Sequence, residues 1–245
     1  MTTEIRPNDS QAISRRRFFS KAIAASAATV ASGLRDPALI FAAEGIAPHQ
    51  PRAGKKKSGA ISANPAFPLK VSANRRYLAD QKDKPFFILG DTPWFLQKLP
   101  LEDVRRILDD RKVKGFNTLF LEILDDRRMP SRDAHGTVAF QPDTDITKPV
   151  EAYWRYADTV MDEATQRGFF VIMSELWYGA GKGLWMHHVA PESARAYGHF
   201  LGKRYAHFKN LMWMHCGGHN PDERLAECAR QIALAIHEEA PHHLH

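Results

Sequence analysis

Residues 84–124 read KPFFILGDTPWFLQKLPLEDVRRILDDRKVKGFNTLFLEIL, and the order of patterns inside them decides the fold. Pro85–Leu89 is an apolar run of strand length, ended by Gly90-Asp-Thr-Pro-Trp94. Leu101–Lys114 then carries Val104, Ile107, Leu108 and Arg111 on one helical stripe, and Asn117–Leu124 is a second apolar run. Strand, turn, amphipathic helix and strand make a βαβ unit, whose crossover helix lets the two strands lie parallel.

The unit recurs along the chain. A long loop, Asp125–Lys148, leads to a helix over Pro149–Arg167 whose Trp154, Ala157, Val160, Met161 and Ala164 share a face. Phe169–Leu176 is the third strand, and a glycine- and tryptophan-bearing loop follows over Trp177–Val189. Pro191–Lys209 is a helix with Ala194, Tyr197, Leu201, Tyr205 and Phe208 on one side, and Leu211–Cys216 is the fourth strand. Asn220-Pro-Asp-Glu223 has the chemistry of a helix start, with Asn as cap and Pro at the first position. Leu225, Cys228, Ala229, Ile232 and Ile236 then form a buried stripe. Apolar strands alternating with helices imply an α/β parallel sheet covered on both faces. A doubly wound sheet and a (β/α) barrel of the TIM type both fit. Neither Gly-x-Gly-x-x-Gly nor a Walker loop follows the first strand, so a nucleotide site is not expected. An eight-unit barrel takes about 250 residues, whereas 69–245 show only four units, so a barrel here would be half of one.

The net charge of +6 sits in the leader and the linker after it: residues 1–70 hold eleven Lys+Arg against four Asp+Glu, and the remainder twenty-three against twenty-four. A basic nucleic-acid face is therefore not expected. Ser14-Arg-Arg-Arg-Phe-Phe-Ser-Lys21, followed by the weakly apolar Ala22–Leu34, is similar to a twin-arginine export signal over residues 1–43. Its apolar run falls short of the about 20 residues that a membrane span needs. Residues 44–68, with Pro, Gly, Ser and Lys55-Lys-Lys57, read as a flexible linker. The expected destination is the periplasm or the exterior, with the twin-arginine machinery as a partner and no stable membrane span. Cys216 and Cys228 read as thiols, with a single bridge or a site of His215, Cys216 and His219 as alternatives.

Tyr77–Asp80 (Tyr-Leu-x-Asp), Lys84–Phe87, Gly90-Asp-Thr-x-Trp94, Glu102–Val104, Gly115-Phe-Asn-Thr118 and Trp213-x-x-x-Gly-Gly218 together carry a resemblance. Over residues 69–245 the chain resembles the apiosidase-like catalytic domain of glycoside hydrolase family 140. The resemblance implies a (β/α) barrel, here truncated after about four units, that hydrolyses glycosidic bonds in the side chains of pectin. It also implies a general acid/base Asp after the glycine pair, where this chain has His219, and a second carboxylate on a later strand.

Retaining hydrolysis needs two carboxyl groups about 5 Å apart on converging strands. Asp91, Glu122, Asp125, Asp126 and Glu175 stand near strand ends. Glu175, in Met-Ser-Glu-Leu-Trp, would donate a proton if its apolar setting raises its pKa, or form a structural salt bridge. His219 titrates near neutrality and is the other candidate proton carrier. Asp91 and Glu122 are expected to bind sugar hydroxyls, or else to cap a turn and to satisfy a polar core. Trp94, Trp177, Tyr178 and Trp185 offer aromatic faces for sugar rings. No cofactor and no metal are expected, because His187, His188, His242, His243 and His245 follow no recognised ligand spacing. Two function classes follow: a glycoside hydrolase acting on oligo- or polysaccharide, impaired as half a barrel, or a non-catalytic carbohydrate-binding or assembly module. Open sheet edges would also allow self-association.

Overall fold

The computed structural model describes residues 64–125, 130–177, 189–215 and 221–245. All of these residues fall in one compact unit, Ile61–His245. The expected leader, and the expected linker up to residue 63, lie outside the described residues. Residues 64–68 belong to the folded unit: the Ala66 amide donates to Asp80 Oδ2 at 3.2 Å, and Phe67 stacks on Phe170 with centroids 6.0 Å apart.

A small antiparallel sheet comes first, with β1 (Lys70–Val71), β2 (Leu78–Ala79) and β3 (Pro85–Phe86) in sequential order. The main sheet is parallel. Its strands β4 (Gly90–Asp91), β5 (Thr118–Glu122), β6 (Phe170–Ser174) and β7 (Leu211–Met214) also stand in chain order. Helices α1 (Leu101–Val113), α2 (Glu151–Gln166) and α3 (Pro191–Tyr205) make the crossovers, and α4 (Glu223–Glu239) follows β7.

Strand order and layering separate the two architectures left open by the sequence. Leu119, Leu121, Val171, Met173, Leu211 and Trp213 share one core with residues from all four helices. The alternate residues Phe120, Phe170, Ile172, Met212 and Met214 form a second cluster, joined by Leu69 and by Leu78 and Phe86 of the small sheet and, among the described residues, by no helix. Helices on one face and a strand order without reversal make this a partial α/β barrel rather than a doubly wound sheet.

The strand expected over Pro85–Leu89 is split. Pro85–Phe86 pair with β2, and the parallel ladder begins only at Gly90, a residue expected in the turn. Asn117 explains the break: its side chain takes the Leu89 amide at 2.9 Å and donates to the Phe87 carbonyl at 2.7 Å. At Gly90 a Cβ would stand 2.8 Å from the Phe120 ring, so only glycine allows that close approach. Helices α1 and α2 end alike, with Gly115 and Gly168 at φ 86° and 68°. The Phe116 amide reaches back to the Arg111 carbonyl at 3.0 Å, and Phe169 to Ala164 at 3.1 Å, which are Schellman closures that feed β5 and β6. Helix α4 starts later than its sequence signal: Asp222 caps it, accepting from the Leu225 amide at 2.8 Å. Asn220 lies outside the described residues.

Beyond α4 the chain returns to the sheet. Leu244 forms a parallel bridge with Met212, and its carbonyl accepts from the Trp213 amide at 2.9 Å. The β7 edge, expected to be open, is thus partly paired. Cys228 is a buried free thiol whose Sγ lies 3.7 Å from the Val189 carbonyl, while Cys216 is outside the described residues. Among the described residues no helix is long and apolar enough to cross a membrane.

Candidate functional site

Parallel strands bring their C-terminal ends to one edge, where side chains from different strands converge. After β4 comes Trp94, after β5 Asp125, after β6 Glu175 and Trp177, and after β7 His215. Two of the expected aromatic residues meet there. Trp94 and Trp177 are edge-to-face, with centroids 5.2 Å apart at 73°. Trp94 is also anchored through its backbone, its carbonyl accepting from the Glu122 amide at 2.7 Å. Beside it opens a cavity of about 720 Å³ lined by Trp94, Phe95, Lys98, Leu99 and Asp125. That volume lies within the range of small-molecule sites.

The polar groups around this cavity are held from below. Lys98 Nζ stands 2.5 Å from Asp125 Oδ2. The Asp125 amide donates to Ser131 Oγ at 3.0 Å, and Tyr153 OH donates to the Ile123 carbonyl at 2.6 Å. Burial pushes the Tyr153 phenol up to about 12, so it remains a neutral donor. Gln97 Nε2 donates to the carbonyls of Glu122 and Ile123, each at 3.0 Å, which fixes the exit of β5.

Glu175 is fully buried, and His215 Nδ1 lies 3.0 Å from its Oε1. The salt bridge weighed from the sequence therefore exists, but its partner is an imidazole on the neighbouring strand and not a lysine or arginine. His215 Nε2 in turn lies 2.8 Å from His245 Nδ1, the two rings stacking with centroids 5.1 Å apart. Burial pushes the His215 imidazole towards neutrality, but the Glu175 charge and hydrogen bond outweigh it and hold the pKa above the ordinary histidine value. Among the described residues no group of three or more His, Cys, Asp or Glu is arranged to hold a metal ion.

Asp91 is not part of this group. It shares the face of its register partner Leu119, towards α1, where Arg111 Nε donates to its carboxylate. Glu122 is buried at the end of β5, on the alternate face with Phe120. Tyr178, Trp185 and His219 lie outside the described residues. Lys98 carried no sequence signal, because a lone lysine after a tryptophan has no spacing rule. His215 read as the end of an apolar strand, and only the register of β6 with β7 reveals Glu175 as its neighbour.

A sequence model of the apiosidase-like catalytic domain matches residues 72–245. Among solved structures, one described as a glycoside hydrolase is 26% identical, with a TM-score of 0.64 over 73% of this chain and 40% of its own. A glycoside hydrolase family 5 protein from Bacteroides vulgatus ATCC 8482 is 27% identical, with a TM-score of 0.62 over 72% of this chain and 38% of its own. A family 5 mannosidase from Rhizomucor miehei, at 15% identity and TM-score 0.55 over 74% of this chain and 55% of its own, shares the fold alone. The chain thus spans about two fifths of the length of the first two structures. No functionally curated protein matches it. With the match covering nearly all of the folded unit, and a sheet layered as half of such a barrel, the chain belongs to the apiosidase-like catalytic-domain family.

Proposed function

We propose that this protein is a carbohydrate-active member of its family that binds the side chains of pectic polysaccharide and hydrolyses them poorly. The observation that carries the reading is the Trp94–Trp177 pair beside the cavity at the C-terminal strand ends. A tryptophan face offers apolar surface to the C–H face of a sugar ring, while Lys98 and Asp125 are placed to bond its hydroxyls. Glu122 would then support the site from the adjoining strand, Tyr178 and Trp185 would add aromatic surface, and Asp91, held by Arg111 on the helix side, would have no part in it.

Poor hydrolysis follows from the acids. A retaining pair must leave one carboxylate free to attack and the other able to move a proton. Here Asp125 is engaged by Lys98 and Glu175 by His215. The position implied for the acid/base Asp holds His219, which cannot serve as an anion. The same two ion pairs favour the second reading, a module that binds sugar without turnover. The Ser14–Lys21 motif supports export to the periplasm or beyond by the twin-arginine route.

Calorimetric titration with oligosaccharides released from pectin tests the binding reading. Trp94→Ala should weaken affinity by roughly tenfold, the scale of one lost aromatic contact, with the thermal midpoint unchanged. Equal affinity in the variant would remove the site proposed here. Reducing-end release at rates typical of hydrolases, about 1–10³ per second, would overturn the claim of poor catalysis. Replacing Arg15 and Arg16 with lysine should trap the chain in the cytoplasm, and continued export would exclude the twin-arginine route.

A further inference from the structure

Glu175 offers no oxygen to solvent, since its side chain is wholly buried at the end of β6. One oxygen, Oε1, meets His215 Nδ1 at 3.0 Å, and the other, Oε2, has no hydrogen-bond partner among the described residues. A buried carboxylate with one orphan oxygen is costly unless a proton or a cation neutralises it. Among the described residues His215 is the neighbour placed to compensate it, its Nδ1–H donating to Oε1, and the pair carries no net charge when Nε2 is protonated as well. The outlet of the pair is the far edge of the imidazole. His215 is partly exposed, with 17% of its side chain accessible, and among the described residues its Nε2 meets the exposed His245 ring.

From this arrangement we infer that His215 is the proton-carrying residue at this end of the sheet, and that Glu175 is a positioning residue holding its Nδ1–H so that Nε2 faces a sugar hydroxyl. This reverses the role that the place of Glu175 in the sequence suggests. It rests on the carbohydrate reading above and adds to it the group that would exchange a proton with the sugar. Among the described residues, the charged and titratable groups facing His215 are Glu175 from β6 and His245 from the returning tail. His245 in turn faces His237 of α4, with centroids 5.7 Å apart.

Long-range proton–nitrogen correlation on the 15N-labelled full chain, from pH 4.5 to 9, reads both the tautomer and the midpoint of His215. In the wild type Nδ1 should stay protonated throughout and only Nε2 should titrate. In Glu175→Gln the midpoint should fall by about one pH unit or more, the scale on which a lost carboxylate partner acts, and the tautomers should mix. His245→Ala should leave the Nδ1 proton in place. An unprotonated Nδ1 in the wild type would overturn the inference, and so would an unchanged midpoint in Glu175→Gln. If Glu175→Gln does not fold, the wild-type tautomer alone decides. Adding pectic oligosaccharides separates this inference from the reading it rests on. Shifts at both the Trp94 indole and His215 Nε2 support it, shifts at Trp94 alone sink it, and no shift anywhere sinks the carbohydrate reading with it.

Discussion

His243 shows how one buried side chain sets a pH limit. Its Nδ1 accepts from the Trp213 indole N–H at 3.1 Å, and its Nε2–H donates to the Phe208 carbonyl at 2.8 Å. The bond from the indole requires the neutral ring, because a proton on Nδ1 would face the indole N–H. Burial pushes its pKa down to about 4. A depressed value means that the unfolded chain takes up the proton first. The stability from this group is complete above the ordinary histidine value near 6.5 and is lost as pH falls towards 4. Denaturant titrations should show a decline of roughly 3 kcal/mol across that window, and His243→Gln should flatten it. His215 has the opposite sign. Its raised pKa adds stability below about 6.5 that fades as pH rises through the folded value. Asn117 makes a different residue-scale point. Its side chain replaces ladder bonds over residues 87–89, so Asn117→Ala should cost about 2 kcal/mol, measured by chemical unfolding. The motif Gly-Phe-Asn was legible as a motif. Its task was not, because the partner backbone lies about thirty residues upstream and only the fold brings it near.

At the scale of elements, the helices were the most legible part. The stripes read along 151–166 and 223–239 are the buried faces of α2 and α4, since burying one face is what a 3.6-residue period does. The close packing of α3 on α4 was not legible. A Cβ at Gly198 would stand 2.6 Å from the Ile232 carbonyl, and one at Gly202 would stand 2.8 Å from Glu239 Cβ. Gly198→Leu should therefore force the helices apart, lowering stability by about 3 kcal/mol or more, with a matching fall in thermal midpoint. The cap of α4 offers a milder test. Asp222→Ala removes the acceptor of the Leu225 amide and should cost about 1 kcal/mol, whereas the same change at exposed Glu223 should have little effect. The short strand β4 was misplaced by its own hydrophobicity. Pro85–Leu89 is apolar because it serves the small sheet and an exposed rim, with Phe87 81% exposed, while the ladder is carried by Gly90 and Asp91.

For the molecule as a whole, the main core among the described residues draws on all four helices and β5–β7 of the unit that begins at Ile61. A chain starting at Ile61 should keep its thermal midpoint within about 3 °C, a shift equivalent to well under 1 kcal/mol for a domain of this size; scanning calorimetry on both forms checks this. Ion pairs tie the helical layer together. Glu163 joins Arg105 of α1 to Arg167 after α2, and Arg204 of α3 reaches Glu151 and Asp158 of α2. Local pattern was sufficient for the parallel sheet, its helices and their order, because the periods of strand and helix are written in neighbouring residues. The choice between a doubly wound sheet and a barrel, the pairing of Trp94 with Trp177, and the joining of Glu175 to His215 belong to tertiary structure alone. Each depends on which strands lie side by side and which faces the helices cover, and those are settled by burial across long stretches of chain rather than by any one segment.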